Sequence, residues 1–199
     1  MKNLNKITKI LGVTFVLAAS GVASAATVSS TATATVQNAF TITEDTELSF
    51  GTIRATAEPL GTNVATLVLA ADGSVTTPAP GVNSALTQLL PGSVGQFSIS
   101  NAAAYTNLTI TDPSDFELTN GTAPGTSPTF DVTTFTYIIR GGANDGAAYT
   151  GTTTGALQTD ATGAVSFDMG ATLSTDSDTS STSYIDADYT GTYNMLVSY

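Results

Sequence analysis

The feature that most constrains this chain is a strict alternation of side-chain character near its N-terminus. From Val28 to Ile42 nearly all apolar side chains fall on even positions, whereas the odd positions from Thr27 to Thr43 carry mostly threonine. A period of two is the repeat of a β-strand, in which successive side chains point to opposite faces. The pattern therefore predicts one long strand over residues 27–43, with an apolar face and a hydroxyl-coated face.

Two interpretations account for a strand that is longer than a small sandwich needs. In the first, it is the opening strand of its own domain and crosses between two sheets at Asn38. In the second, its first part enters a groove in a neighbouring subunit, and its second part stays in its own domain. Strand addition of this kind uses main-chain hydrogen bonds for affinity and alternate side chains for register. The predicted partner-binding residues are then the even-numbered apolar ones, Val28, Ala32, Ala34 and Val36.

A targeting signal precedes this strand. Three lysines lie within the first nine positions, a mostly apolar run follows over residues 10–22, and a small-residue Ala-Ser-Ala sequence ends at Ala25. This order predicts a secretory signal peptide, residues 1–25, cleaved after Ala25. The apolar run is short for a membrane anchor, which needs about 20 residues. We therefore expect residues 26–199 to form a single domain without a membrane span.

The composition excludes most kinds of catalytic site. Cys, His and Trp are absent from the 199 residues, and removal of the signal also removes every lysine. These absences exclude disulfides, thiolate and imidazole chemistry, zinc–thiolate sites and Schiff bases. The remaining chain then has two basic residues, Arg54 and Arg140, and sixteen acidic ones, so its net charge is −14. This negative charge argues against nucleic acid and anionic membranes as partners. We expect no enzymatic activity, since an enzyme here would need a cleft lined by paired carboxylates.

The rest of the chain has the composition of short strands separated by turns. Thr, Val, Ile, Tyr and Phe favour strands, and Gly, Pro, Asn and Asp interrupt them. The predicted strands are Leu48–Ile53, Val64–Ala70, Ser74–Thr77, Val94–Ser100, Tyr105–Thr111, Asp115–Thr119, Phe130–Arg140, the alternation Val165–Met169, and Tyr189–Tyr199. Residues Asn83–Leu90 fit one helical turn. With the N-terminal segment included, about nine or ten strands are expected, which predicts an all-β antiparallel sandwich or barrel.

Two pairs of aspartates are the main candidates for a metal site, and Asp145 lies in another polar loop. Asp176 with Asp178, and Asp186 with Asp188, flank a loop of Ser and Thr residues. Calcium takes about six to eight oxygen ligands, but the chain contains no complete calcium-loop motif. Two interpretations stay open, a calcium-binding loop and a solvated acidic loop, and no other cofactor is expected.

The C-terminal strand carries one residue that breaks its apolar face. Tyr189, Tyr193, Met195, Val197 and Tyr199 share that face with Gly191. A glycine inside a strand marks a bulge or a close approach of other atoms. Gly191 therefore predicts a bulge or close packing beneath an aromatic ring.

Four segments carry a family resemblance through their order along the chain. They are Leu48–Ile53, Gly95–Ser100, Ala164–Leu173 and Tyr189–Tyr199. Together they resemble a family of small exported bacterial β-domains of unknown function, similar in outline to pilin-like and spore-coat-like subunits of chaperone–usher systems. The resemblance implies an immunoglobulin-like β-sandwich and a surface or filament role, and it implies no catalytic residues. It favours the strand-donation interpretation over the single-domain one.

The sequence thus predicts a secreted structural subunit of a bacterial surface or pilus-like filament. It is expected to leave the cell through the periplasm and to assemble by N-terminal strand donation. Its expected partners are copies of itself or related subunits, together with an export chaperone. The alternative is a monomeric extracellular binding module, such as a glycan- or calcium-dependent adhesin.

Overall fold

The computed structural model describes residues 29, 31–33, 39–58, 63–78, 81–121, 127–176 and 183–199. The chain divides into two compact units, Met1–Val36 and Gln37–Tyr199, and every strand of the described residues lies in the second. The described residues form twelve strands and no helix, which confirms the all-β class. No described segment is therefore a helix that is long and apolar enough to cross a membrane. The strands are β1 Thr41–Thr46, β2 Thr52–Thr56, β3 Thr66–Leu69, β4 Val75–Thr76, β5 Ala85–Leu90, β6 Gly95–Ser100, β7 Asn107–Thr111, β8 Phe116–Leu118, β9 Phe130–Arg140, β10 Leu157–Gln158, β11 Val165–Thr175 and β12 Leu196–Ser198.

Strand β11 organises the largest sheet. It pairs antiparallel with β9 along almost its whole length on one side, and with β6 and then β3 on the other. Strand β1 pairs with β6 at one edge of this seven-stranded sheet, and β4 pairs with β3 at the other. A three-stranded sheet has the order β10-β7-β12, and β2 pairs with β5 in a third sheet. All these pairings are antiparallel, as expected from the sequence.

Two predicted segments differ from the structure for local reasons. Residues Asn83–Leu90 do not form a helical turn, because Ala85–Leu90 pairs with β2 and buries Leu86 between exposed neighbours. The predicted strand Leu48–Ile53 is interrupted at Gly51, which has a φ of +76°, and β2 begins only after it. A side chain at Gly51 would also meet the Leu90 carbonyl oxygen, since its Cβ would lie 2.2 Å away.

The apolar side chains form two clusters. The first lies between the seven-stranded sheet and the three-stranded sheet; its buried members are Phe97, Ile99, Leu108, Ile110, Tyr137, Ile139, Leu157, Val165, Phe167, Met169 and Val197. The second surrounds β3 and the other half of β11; its buried members are Phe50, Ala65, Leu67, Leu69, Leu86, Phe130, Val132, Ala171 and Leu173. Both clusters are therefore built on β9 and β11, which run through them.

A bulge in β9 lets that strand serve both clusters. Thr133 lies opposite Thr172 and Thr136 opposite Gly170, so β9 carries one extra residue between them. Thr134 has a φ of +53° there. An extra residue reverses the alternation of faces. This is why the inward side chains of β9 fall on even positions before the bulge and on odd positions after it.

An ion pair and an amide hydrogen bond meet at one carboxylate and link three strands of the large sheet. The Arg140 Nε of β9 donates to the Asp168 Oδ2 of β11 at 2.7 Å, and the Gln96 amide of β6 donates to Asp168 Oδ1 at 3.3 Å. Asp168 is only 5% exposed. A buried carboxylate needs such partners, because an unpaired buried charge is costly.

We expect R140A to lower the free energy of unfolding by about 1–3 kcal/mol, because among the described residues only the Gln96 amide would remain beside the buried carboxylate. R54A is the matched control, since Arg54 is exposed and forms no ion pair with a described residue. Urea denaturation of both variants measures the difference. Equal stabilities of R140A and R54A would contradict this role.

A second carboxylate orders a turn before β11. Asp160 Oδ1 accepts hydrogen bonds from the Thr162 N–H at 2.7 Å, the Thr162 hydroxyl at 2.7 Å and the Ala164 N–H at 3.0 Å. These bonds, led by that of Ala164, hold the pKa of Asp160 below its ordinary value. A lowered pKa means that the ionised form stabilises the folded state.

The contribution of Asp160 is therefore expected to be present above about pH 3.9, the ordinary value for Asp, and to disappear as the pH falls through the lower folded-state pKa. D160N should be less stable than the parent at neutral pH, and the gap should close in acid. D115N removes one exposed acid outside this turn and controls for net charge. Urea denaturation from pH 7 to pH 2 provides the test, and a gap that persists at pH 2 would count against it.

Candidate functional site

Two edges face each other beside the first cluster, and we call this pair the seam. One edge is formed by residues 40–46, which include β1, and the other by the C-terminal segment 190–199. Among the described residues only side chains join the two edges. Tyr193 Oη donates to Glu44 Oε1 at 3.2 Å, and the rings of Phe40 and Tyr199 meet edge to face with centroids 5.3 Å apart. Because Tyr193 reaches Glu44 and Tyr199 reaches Phe40, the two edges run antiparallel without a shared main-chain ladder.

The seam leaves part of the core incompletely covered. Phe40 and Ile42 on one edge, with Tyr193 and Met195 on the other, pack against the first cluster but are only partly buried. Edge strands also present main-chain N–H and C=O groups on their outer side. The seam is therefore a partly buried apolar surface between two edges.

The C-terminal segment is held in place by β7 and β8. Strand β12 pairs with β7, and Thr190 forms a bridge with Thr119 just after β8. Gly191 lies directly against β8, where a Cβ would be 2.3 Å from the Glu117 carbonyl oxygen and 3.1 Å from the Phe116 ring. Of the two predicted alternatives at Gly191, a bulge or close packing, the structure shows close packing, with the β8 backbone and the edge of the Phe116 ring as its neighbours.

The predicted partner-binding residues lie mostly outside the described residues. Val28, Ala34 and Val36 are among those that the structure does not describe. Ala32 is described, is exposed and belongs to no strand. Strand β1 begins at Thr41, so of the predicted strand 27–43 it contains the last three residues. The donation of the preceding segment stays a prediction.

The predicted calcium residues are not brought together in the described part of the chain. Asp176 Oδ2 accepts a hydrogen bond from the Thr129 N–H at 2.9 Å, and the Asp176 N–H donates to Tyr184 Oη at 2.9 Å. Asp186 and Asp188 are exposed, and Asp178 lies outside the described residues. The described residues contain no group of three acidic side chains placed to hold a metal ion. Asp176 thus has a structural role at the end of β11, and the calcium site stays a prediction.

A recess at another place, which we call the tyrosine cleft, was not predicted from the sequence. It has a volume of about 430 Å³ and lies where β7 and β9 approach the loop after β9. Its lining includes Ile110, Asp112, Phe135, Tyr137, Tyr149 and Thr150. In the sequence, Tyr137 looks like an ordinary core residue of a strand and Tyr149 like part of a polar loop, so neither indicates a cleft.

A sequence model of the family described as Domain of unknown function (DUF4402) matches residues 40–199. The chain belongs to this family. No curated protein and no solved structure matches it. The DUF4402 domain begins at Phe40 and so contains the seam and the tyrosine cleft, whereas the predicted donor residues precede it. The expectation of a domain family of unknown function is confirmed, and the similarity to pilin-like subunits stays a prediction.

We expect G191A to lower the free energy of unfolding by about 1–3 kcal/mol, because the new methyl group would push the C-terminal segment away from β8. T192A is the matched control, since Thr192 is the next residue and is exposed. Thermal and urea denaturation measure the stability, and hydrogen exchange at residues 190–199 locates the change. If G191A were as stable as T192A, close packing would not be what positions this edge of the seam.

Proposed function

We propose that this chain is an exported structural subunit of a bacterial surface filament, in which residues 27–37 of one copy enter the seam of the next. The seam is the observation that carries the proposal. Its two edges share no main-chain hydrogen bonds among the described residues, and the core beside them is only partly covered. The lysines, apolar run and Ala-Ser-Ala sequence at the N-terminus support export. An immunoglobulin-like arrangement of the two main sheets belongs to the same proposal.

The donor segment suits the seam in its pattern of side chains. Its even positions would face the first cluster of the acceptor copy, beside the partly buried Phe40 and Ile42 of that copy. Its odd positions, mainly threonine, would face solvent. Residues 27–37 carry no charge, so their entry adds no like charge beside Glu44.

Main-chain hydrogen bonds and apolar burial would supply the free energy of assembly. Each main-chain hydrogen bond contributes about 1 kcal/mol net. Burial of Val28, Ala32, Ala34 and Val36 would add roughly 4–6 kcal/mol at about 25 cal/mol per Å². These gains have to exceed the entropy lost on association, about 4–15 kcal/mol. A donor on one surface and an acceptor on another make a heterologous contact, which propagates into a filament when it does not close.

The test compares two triple variants that differ only in the face they alter. The even-face variant carries A32D, A34D and V36D, and the odd-face variant carries T31D, T33D and T35D. Both add three negative charges to the same segment. We expect the even-face variant, like a deletion of residues 26–36, to lose assembly in sedimentation and electron microscopy, while the odd-face variant still assembles. Equal behaviour of the two variants, or filaments formed by the deletion, would refute donation.

Cysteine cross-linking tests whether the donor reaches a second copy. The chain contains no Cys, so any disulfide that forms must join the introduced cysteines. A34C combined with M195C should yield a ladder of covalent oligomers after oxidation, and T33C with M195C should yield much less. A product that remains monomeric would place the segment in its own seam and overturn the filament proposal.

A further inference from the structure

We propose that the tyrosine cleft is a binding site for a neutral, hydroxyl-rich ligand, a short saccharide. This site is separate from the proposed strand donation. Its lining comes from β7, Asp112, β9 and residues 148–150, and none of these residues forms an edge of the seam, although Tyr193 of the seam lies near Tyr137. The proposal rests on one hydroxyl group and on the residues around it.

The hydroxyl of Tyr137 is the central observation. Tyr137 is 7% exposed, its Oη is buried without a hydrogen bond of ordinary geometry to a described residue, and the Asp112 carboxylate lies close to it. A phenol both donates and accepts hydrogen bonds, and leaving a buried polar group unpaired costs about 1–3 kcal/mol. Phenylalanine would fill the same place on β9 without this cost. The hydroxyl is therefore available for a hydrogen bond with a ligand that enters the cleft.

The groups near this hydroxyl define what it would bind. Burial raises the pKa of the Tyr137 phenol, and the Asp112 carboxylate beside it raises the pKa further. The phenol consequently keeps its proton at physiological pH and lies close to a carboxylate. A ligand group placed here meets a donor on one side and an acceptor on the other.

A hydroxyl group matches both sides, whereas charged groups match only one. A ligand hydroxyl accepts from Tyr137 and donates to Asp112. An ammonium group only donates, and it would leave the phenol proton unpaired. A carboxylate or phosphate only accepts, and it would lie beside Asp112 on a chain that already carries a strong negative charge. The geometry therefore favours a neutral ligand that carries hydroxyl groups.

The remaining walls are rigid and aromatic. Tyr149 Oη accepts from the Ile110 N–H at 3.0 Å, and the Tyr149 N–H donates to the Tyr137 carbonyl at 3.1 Å. The two tyrosine rings meet edge to face with centroids 6.1 Å apart, and Phe135 adds a third ring. Aromatic side chains supply apolar contact area with a polar edge, which suits the mixed C–H and O–H surface of a sugar ring.

A second recess continues the site beyond Tyr149. Its volume is about 340 Å³, and its lining includes Asn107, Thr109, Tyr149, Thr152 and Thr153. Ligand pockets commonly measure about 300–1,000 Å³ and place a few polar groups among apolar walls. Two adjoining recesses that share one tyrosine fit two linked sugar units, with amide and hydroxyl groups lining the second.

The experiment begins with the full domain on an array of neutral and acidic oligosaccharides, followed by calorimetry and NMR titration with the neutral disaccharide that binds best. Y137F removes the phenol oxygen and keeps the aromatic ring. D112N replaces the carboxylate with a neutral amide of the same shape. We expect Y137F to weaken binding at least tenfold while the free protein is as stable as the parent or more so. Y105F, a change in a tyrosine that is 67% exposed and outside the cleft, should alter neither property.

Three outcomes would overturn the proposal. They are the absence of any neutral saccharide that binds, unchanged binding by Y137F, and a lower melting temperature of Y137F, which would show that the hydroxyl serves the fold. The even-face variant of the donor segment should bind the disaccharide as the parent does. Failure of strand donation and failure of saccharide binding are thereby separable.

Discussion

The double pairing of β11 is the constraint on which the rest of the structure depends. Its main-chain groups are taken by β9 on one side and by β6 and β3 on the other, so the strand can be buried on both edges. Its inward side chains then contribute to both apolar clusters, Val165 to Met169 to the first and Ala171 and Leu173 to the second. Even an acid is tolerated here, because the partner of Asp168 comes from the neighbouring β9.

Much of the fold could be predicted from the sequence, because alternation is a local signal. Strand β9 was predicted with the bounds that the structure shows, and β6, β7 and β8 lie within their predicted ranges. The bulge at Thr134 could not be predicted, since it depends on the strand opposite and threonine gives no turn signal. Residues Ala85–Leu90 were misassigned for the same reason, as a short apolar run becomes a strand only when β2 pairs with it.

The candidate sites were less predictable, because each depends on residues far apart in the chain. The seam joins Glu44 to Tyr193, 149 positions later, and no local pattern connects them. The tyrosine cleft needs Asp112 beside a hydroxyl on β9. Conversely, the pairing of Asp176 with Asp178 in the sequence suggested a metal ligand. In the structure the Asp176 carboxylate accepts a hydrogen bond from the Thr129 N–H, 47 positions earlier. Sequence spacing indicates which groups are available, and only the packing shows what already occupies them.

The place of β7 has a consequence for an assembled fibre. This strand pairs with β12 on one edge and with β10 on the other, and its Ile110 N–H is held by Tyr149. In the proposed assembly the added strand lies in the seam, whereas the pocket near Tyr149 is lined by residues outside the two seam edges. A fibre of such units would display one pocket per repeat at a fixed spacing, and simultaneous engagement of many weak pockets raises the overall avidity far above that of any single one. The polymer would then bind a sugar-coated surface stably, whereas a single detached subunit would dissociate from it.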